Sequence, residues 1–467
     1  MDKEILQTID KKIEEYTQNL INDTIKLVNI NSENSASLPG APFGEGPCRM
    51  LDTVLEMGKN AGFATNDYNV GVISVAMNSG SADLGIWAHG DVVPAGEGWD
   101  FEPYNATVYK NEFIIGRGSA DNKGQLAAIF NLFKIFKELN INLNYNPALF
   151  VGSNEETGMK DMVGLDNNPD AKGFINVCTP PRLSLVPDGG FPIGYGAKGM
   201  GKVFIKSKTP FSNFSLTAGQ VDAPGKAEAV FDTSNFPENL PDCEILKTDK
   251  TIITSFSEPR HASSPDPNGN MITQISNALI KSGCLNQHDL TIIEFLRDIS
   301  LDINGEKLGI YYNSDSMGKT VVSTRAITCE NGCPELEIRL RYPIETPFEQ
   351  LIEKLSAVCD KKGFTVRGEN GHSPYVQDKN SEVCKTLCQI ANDLNETDAK
   401  PYVNGATYAH YLPNAYIFGM SSNSAPDDFK AGRGGAHGID ESVSIPRLKR
   451  AMKIYARALL ALNELKW

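Results

Sequence analysis

The chain has 467 residues, with 44 basic against 58 acidic side chains and a formal net charge of −14. That length exceeds one compact core, so two domains are expected. The acidic balance argues against nucleic acid as a partner, and no stretch approaches the ~18 consecutive apolar residues of a membrane span.

The first 28 residues are charged from Asp2 onward and place Ile5, Ile9, Ile13, Tyr16 and Leu20 at helical spacing. They read as an amphipathic helix of the fold, since a signal peptide needs an apolar core. The nine cysteines are scattered, and their two C-x3-C pairs lack zinc-ribbon spacing and neighbouring histidines. Reduced thiols in a cytoplasmic protein are the simplest reading.

From about residue 70 to 190, short apolar runs alternate with polar or glycine-rich turns. Residues 70–77, 84–88, 148–152 and 182–186 read as strands, and 126–139 as a helix. Strands mixed with a strong helix predict an α/β layer domain. Beyond the glycine-rich GGFPIGYGAKGMGK, weaker β-like segments surround two proline-led helices, PDPNGNMITQISNALIKSG and TPFEQLIEKLSAVCDKKG. ELEIRLRYP (335–343) alternates as a half-buried strand does. After residue 372 helices and short strands return. The prediction is an α/β catalytic domain, with a mixed sheet flanked by helices, split over 1–192 and 372–467. An inserted α+β lid domain occupies 193–371.

Residues able to carry chemistry fall mostly where predicted strands hand over to loops. His89 and Asp91 form an H-x-D pair after LGIWA. Residues two apart in an extended segment point the same way, so His89 can present one nitrogen to a metal while Asp91 reaches the other. Asp121, in GRGSADNKG, precedes a helix, where an Asp also serves as an ordinary N-cap. Glu155 and Glu156 follow ALFVGSN; one can bind a metal while the other faces a substrate water, although a solvated acidic turn has the same sequence. Asp188 follows a strand in RLSLVPDGG, and His437 sits in GRGGAHGIDE. Each is unremarkable alone. Together they offer five ligands and two further carboxylates near the edge where α/β folds build sites.

WAHGDVVPAGEGW (87–99), GRGSADNKG (116–124), NEETG (154–158), VPDGG (186–190) and AHGIDE (436–441) resemble, in order, the motifs of the M20 metallopeptidases and especially their dipeptidase branch. The resemblance implies that Asp121 bridges two divalent ions, with His89 and Asp188 on one and Glu156 and His437 on the other. It makes Glu155 the general base and later acid, and Asp91 the residue that orients His89. Water between two such ions ionises near neutral pH. Mixed imidazole and carboxylate ligands favour Zn2+, with Mn2+ or Co2+ as alternatives.

The same resemblance implies that His261, in RHASSP, donates to the developing oxyanion and that Arg341 pairs with a substrate's C-terminal carboxylate. It places Thr407, in NGATYAH, in a substrate loop. The chain departs from the family at His410, where relatives carry Arg, and at Val221, near a lid Asn of relatives. The long insert resembles an internal stand-in for the dimer partner of shorter relatives, so a monomer is expected. A dipeptidase acting on short peptides is the leading expectation. The alternatives are an N-acyl-amino-acid deacylase of desuccinylase type and a catalytically silent peptide-binding protein.

Overall fold

Apolar, β-branched runs bounded by turn residues become the strands of a mixed sheet in the computed structural model, which describes residues 3–165, 172–219, 225–232, 236–237, 239–258, 265–420, 425–430 and 432–467. Four strands run parallel at its centre: Pro147–Gly152, Leu84–His89, Leu183–Val186 and Ala415–Ile417. Val72–Ala76 and Ala64–Asp67 extend one side antiparallel, and Gly194–Ala197 pairs antiparallel on the other. Every residue of Leu84–His89 and Pro147–Gly152 is buried, as expected of a parallel sheet covered on both faces.

The chain divides into two units, residues 1–196 with 377–467, and residues 197–376. In the first unit, helix Gly124–Glu138 packs on strands Leu84–His89 and Pro147–Gly152 and against helices Thr17–Val28 and Ile445–Leu462. Twelve of its residues are buried, Gly124 through Phe133 without interruption. The single N-terminal helix predicted from periodicity is two, Lys3–Glu15 and Thr17–Val28. Tyr16 interrupts them at φ −81°, ψ 3°, and its hydroxyl donates to Glu138 Oε2 at 2.6 Å, pinning the bend to the central helix. Among the described residues, no helix is long and apolar enough to cross a membrane.

The second unit is built on an eight-stranded antiparallel sheet, running from edge to edge as 244–247, 251–257, 225–231, 214–219, 321–330, 333–342, 199–207 and 364–372. Cys333–Tyr342 alternates buried and half-buried positions, turning Leu336, Ile338 and Leu340 inward. Those side chains share a core with Met271, Ile275 and Leu279, with Ile292 and Leu296, and with Leu351 and Leu355 from the unit's three helices. Helix Phe348–Asp360 starts from Pro347 as predicted. Helix Met271–Ser282 is not proline-led: Asn270 caps it, accepting from the Ile272 N–H at 2.8 Å, because an Asn side chain satisfies a free first-turn donor.

Candidate metal centre

The sheet register puts three neighbouring strand ends together. His89 ends its strand opposite Gly152, and the same strand pairs through Ile86 with Leu185 on its other side. Glu155 and Glu156 follow Gly152 by three and four residues, and Asp188 follows Val186 by two. All four therefore emerge at the carboxyl edge of parallel strands, where backbone ends leave a crevice.

Asp121 and His437 reach this edge through one buried carboxylate. Strand Ser442–Ser444 pairs with Phe113–Ile115, bringing the segment after His437 beside the loop that leads to Asp121. Glu441, fully buried, accepts from the N–H groups of Gly118 (3.0 Å), Ala120 (2.9 Å) and Asp121 (3.0 Å) and pairs with Arg117 at 2.6 Å. Gly118, at φ 84°, makes the turn that points these donors at one carboxylate. Arg117 also donates to the His437 carbonyl at 3.2 Å, where His437 holds a left-handed φ of 62° that is uncommon outside Gly and Asn. The Asn122 amide donates to the Pro187 carbonyl at 3.0 Å, tying the loop to the segment that carries Asp188.

The Asp121 carboxylate faces two histidines with its two oxygens. His89 Nε2 lies 2.9 Å from Oδ1, and His437 Nε2 lies 3.2 Å from Oδ2 and 2.9 Å from Glu156 Oε1. Ligand atoms of His89, Asp121 and Glu156 lie within 4.8 Å of one another, as do those of His89, Glu155 and Asp188. Asp91 lies against both His89 and the backbone of the two glutamates. The nearest group to His89 Nδ1 is the Asp91 backbone carbonyl at 3.0 Å, with a carboxylate oxygen at 3.6 Å. The Asp91 carboxylate also accepts from the N–H groups of Glu155 and Glu156, each at 3.1 Å.

Charge in this cleft is out of balance. Burial and the neighbouring Asp188 push Glu155 well above the usual carboxylate range. Burial also raises Glu156, and burial with the nearby Asp121 pushes Asp188 up to about 7. Asp121 is buried too, yet hydrogen bonds from His437 and His89 hold it well below its ordinary value. Hydrogen bonds to Asp121 and Glu156 push His437 up to about 11; His89 is raised by Asp121 and Asp91 despite its burial. Four converging carboxyl groups against two imidazoles form a donor set suited to divalent cations, whose charge would stabilise the ionised acids.

Thr407 stands outside this cluster. Thr407 is buried in the first unit, and its hydroxyl accepts from the Ala409 N–H at 3.3 Å, capping the short turn Tyr408–Tyr411. His410 turns back onto the Thr407 carbonyl at 3.2 Å. Arg341 lies in the second unit on strand Cys333–Tyr342. His261 and Val221 fall outside the described residues. Glu441 and Arg117 escaped the sequence reading. The only signal was their position, inside motifs noticed for His437 and Asp121.

The model of peptidase family M20/M25/M40 matches residues 85–461. The chain belongs to this family. A Staphylococcus aureus M20 relative named "Putative dipeptidase" is 26% identical over 488 residues, covering 97% of this chain and 98% of that protein. A Staphylococcus epidermidis protein of the same name is 26% identical over 490 residues with equal coverage. Among solved structures, human carnosine dipeptidase 1 aligns at TM-score 0.58 and 15% identity, covering 99% of each chain. A dipeptidase from Saccharomyces cerevisiae aligns at 0.57 and 15%, again over 99% of each. At such identities these structures establish the shared M20 fold.

Proposed function

We propose that this M20 peptidase is a two-metal dipeptidase. The observation that carries the proposal is Asp121, whose two oxygens face His89 on one side and His437 with Glu156 on the other. His89, Asp121 and Asp188 would hold one ion, and Asp121, Glu156 and His437 the other, with Zn2+ the first choice and Mn2+ or Co2+ the alternatives. When bound, the ions would lower the pKa of water and polarise the scissile carbonyl. Glu155 is assigned to take the proton on its carboxylate and deliver it to the leaving amine nitrogen. Its backbone N–H donates to the buried Asp91 carboxylate at 3.1 Å, which fixes the segment that carries it.

The two relatives' names, and the motif resemblance that assigns His261 to the oxyanion and Arg341 to a free C-terminal carboxylate, support a short peptide as substrate. Among the described residues Arg341 makes no ion pair, whereas Arg339 on the same strand face takes Glu337 at 2.7 Å. A half-buried guanidinium left without an acid suits an anionic ligand. The working unit is proposed to be a single chain. Hydrolysis of a mixed dipeptide panel by protein loaded with Zn2+, Mn2+ or Co2+, beside N-acyl-amino acids, tests the function. Turnover of dipeptides with a free C-terminus is expected. Turnover of the acylated compounds alone, or of neither class, would reject it.

A further inference from the structure

Four successive backbone N–H groups lead from the end of strand Pro147–Gly152 to the glutamates, and two buried carboxylates hold them. Asp91 takes Glu155 and Glu156. Asp161 takes the two before them: its Oδ2 accepts from Ser153 at 2.8 Å and from Asn154 at 3.2 Å. The same oxygen accepts a third bond, from the Tyr408 hydroxyl at 2.6 Å. Tyr408 and Asp161 are both fully buried, and Oδ1 of Asp161 has no hydrogen-bond partner. Burying an acid with one oxygen unbonded costs free energy that the three hydrogen bonds to the other oxygen must offset.

The surroundings are shaped around that contact. A Cβ at Gly152 would overlap the Tyr408 hydroxyl and Asp161 Oδ2, so the last strand residue must be glycine for the phenol to reach the acid. Tyr408 follows Thr407 directly and opens the turn that the Thr407 hydroxyl caps. The phenol–carboxylate bond thus joins the Tyr408–Tyr411 turn, which Thr407 caps, to the segment that carries Glu155.

We propose that Tyr408 and Asp161 are positioning residues that couple the Tyr408–Tyr411 turn to the placement of Glu155. The proposal rests on Glu155 acting as proposed above. Asp161 sets the path of residues 153–154, Asp91 that of 155–156, and Tyr408 makes the first dependent on the turn. Neither Tyr408 nor Asp161 is required to touch substrate. Their influence falls on turnover rather than on metal loading or substrate affinity.

Tyr408→Phe removes one hydroxyl without changing shape, and Asp161→Asn keeps one acceptor oxygen. Three measurements on the metal-loaded full chain separate the outcomes: hydrogen exchange of the 153–156 amides, metal content per chain, and kcat with KM on a hydrolysed dipeptide. Tyr408→Phe should speed exchange of those amides and lower kcat about tenfold, with KM and metal content unchanged. Because both residues act through one bond, the double variant should lose little more kcat than the worse single one. Unchanged kcat with faster exchange would overturn the coupling, as would a kcat loss that merely follows lost metal, or additive losses in the double variant. If the wild-type chain hydrolyses no dipeptide, the functional proposal fails separately. Unchanged exchange in Tyr408→Phe would then still reject the positioning role.

Discussion

The Asp121 N–H donates to Glu441 Oε1 at 3.0 Å, joining residues 320 positions apart in the chain. The bond makes Glu441 the common anchor of the Asp121 loop and of the segment that presents His437. Replacing Glu441 with Ala leaves Arg117 buried without its partner and three N–H groups without an acceptor. The expected loss is about 3–5 kcal/mol of unfolding free energy, measured by denaturant titration of the metal-free protein. A loss below about 1 kcal/mol would mean the loop holds its shape without the anchor.

Glu155→Gln should keep two ions per chain and reduce kcat by about 10^2–10^4-fold, the usual contribution of a positioned proton carrier. Metal content by elemental analysis, beside steady-state turnover, checks both halves. Loss of an ion would exchange the parts assigned to Glu155 and Glu156. That exchange is a real physical question, because ligand atoms of Glu155, His89 and Asp188 also lie within 4.8 Å of one another.

Much of this centre was legible because parallel strands deliver residues to one edge. His89, Glu155, Glu156 and Asp188 each follow or end an apolar run that became a central strand, so local pattern put each at a strand end and the parallel register brought those ends together. Asp121 was harder to read, since an Asp before a helix has an ordinary capping role. Its true environment depends on Glu441, a contact across most of the chain that no periodicity encodes. Asp91 shows the same limit. Spacing put its carboxylate near His89, where one oxygen lies 3.6 Å from Nδ1, but nothing in the spacing showed that the same carboxylate takes the backbone N–H groups of both glutamates. The break at Tyr16 was equally hidden, because apolar spacing continues across it and the hydroxyl bond to Glu138 that accompanies it joins residues far apart in the chain.

His437→Ala should lower the bound metal from two ions towards one, leaving Glu156 and the Oδ2 oxygen of Asp121 without their nitrogen partner. Isothermal titration with Zn2+ should show one strong site lost. Two ions bound with unchanged affinity would remove His437 from the ligand set.

Metal binding should be coupled to proton release. Without metal, His437 stays charged up to about pH 11, stabilised by its hydrogen bonds to Asp121 and Glu156. A cation must displace that proton before the ring can serve as a ligand, so affinity should fall as pH falls and rise with pH through the neutral range. The sign for the metal-free fold is opposite. Its stabilisation by charged His437 is complete below the ordinary histidine value of about 6.5 and is lost only as pH approaches 11. Titrations in buffers of different ionisation enthalpy count the protons released. A count of zero at pH 7 would contradict the assignment.

Arg341 supplies the test of substrate polarity. Burial, with Arg339 and Arg325 nearby, lowers its pKa to about 10, so it remains charged at neutral pH although it makes no ion pair among the described residues. A charge-assisted pair with a peptide's terminal carboxylate would contribute about 1.5–3 kcal/mol. Arg341→Ala should therefore reduce kcat/KM for free dipeptides by about 10- to 100-fold. C-terminally amidated analogues cannot offer that carboxylate, so their slower hydrolysis should barely change. Arg341→Lys should recover only part of the loss, because an ammonium keeps the charge but not the planar two-pronged geometry. Equal losses on free and amidated substrates would show that Arg341 supports its own strand instead of reading the end of the peptide.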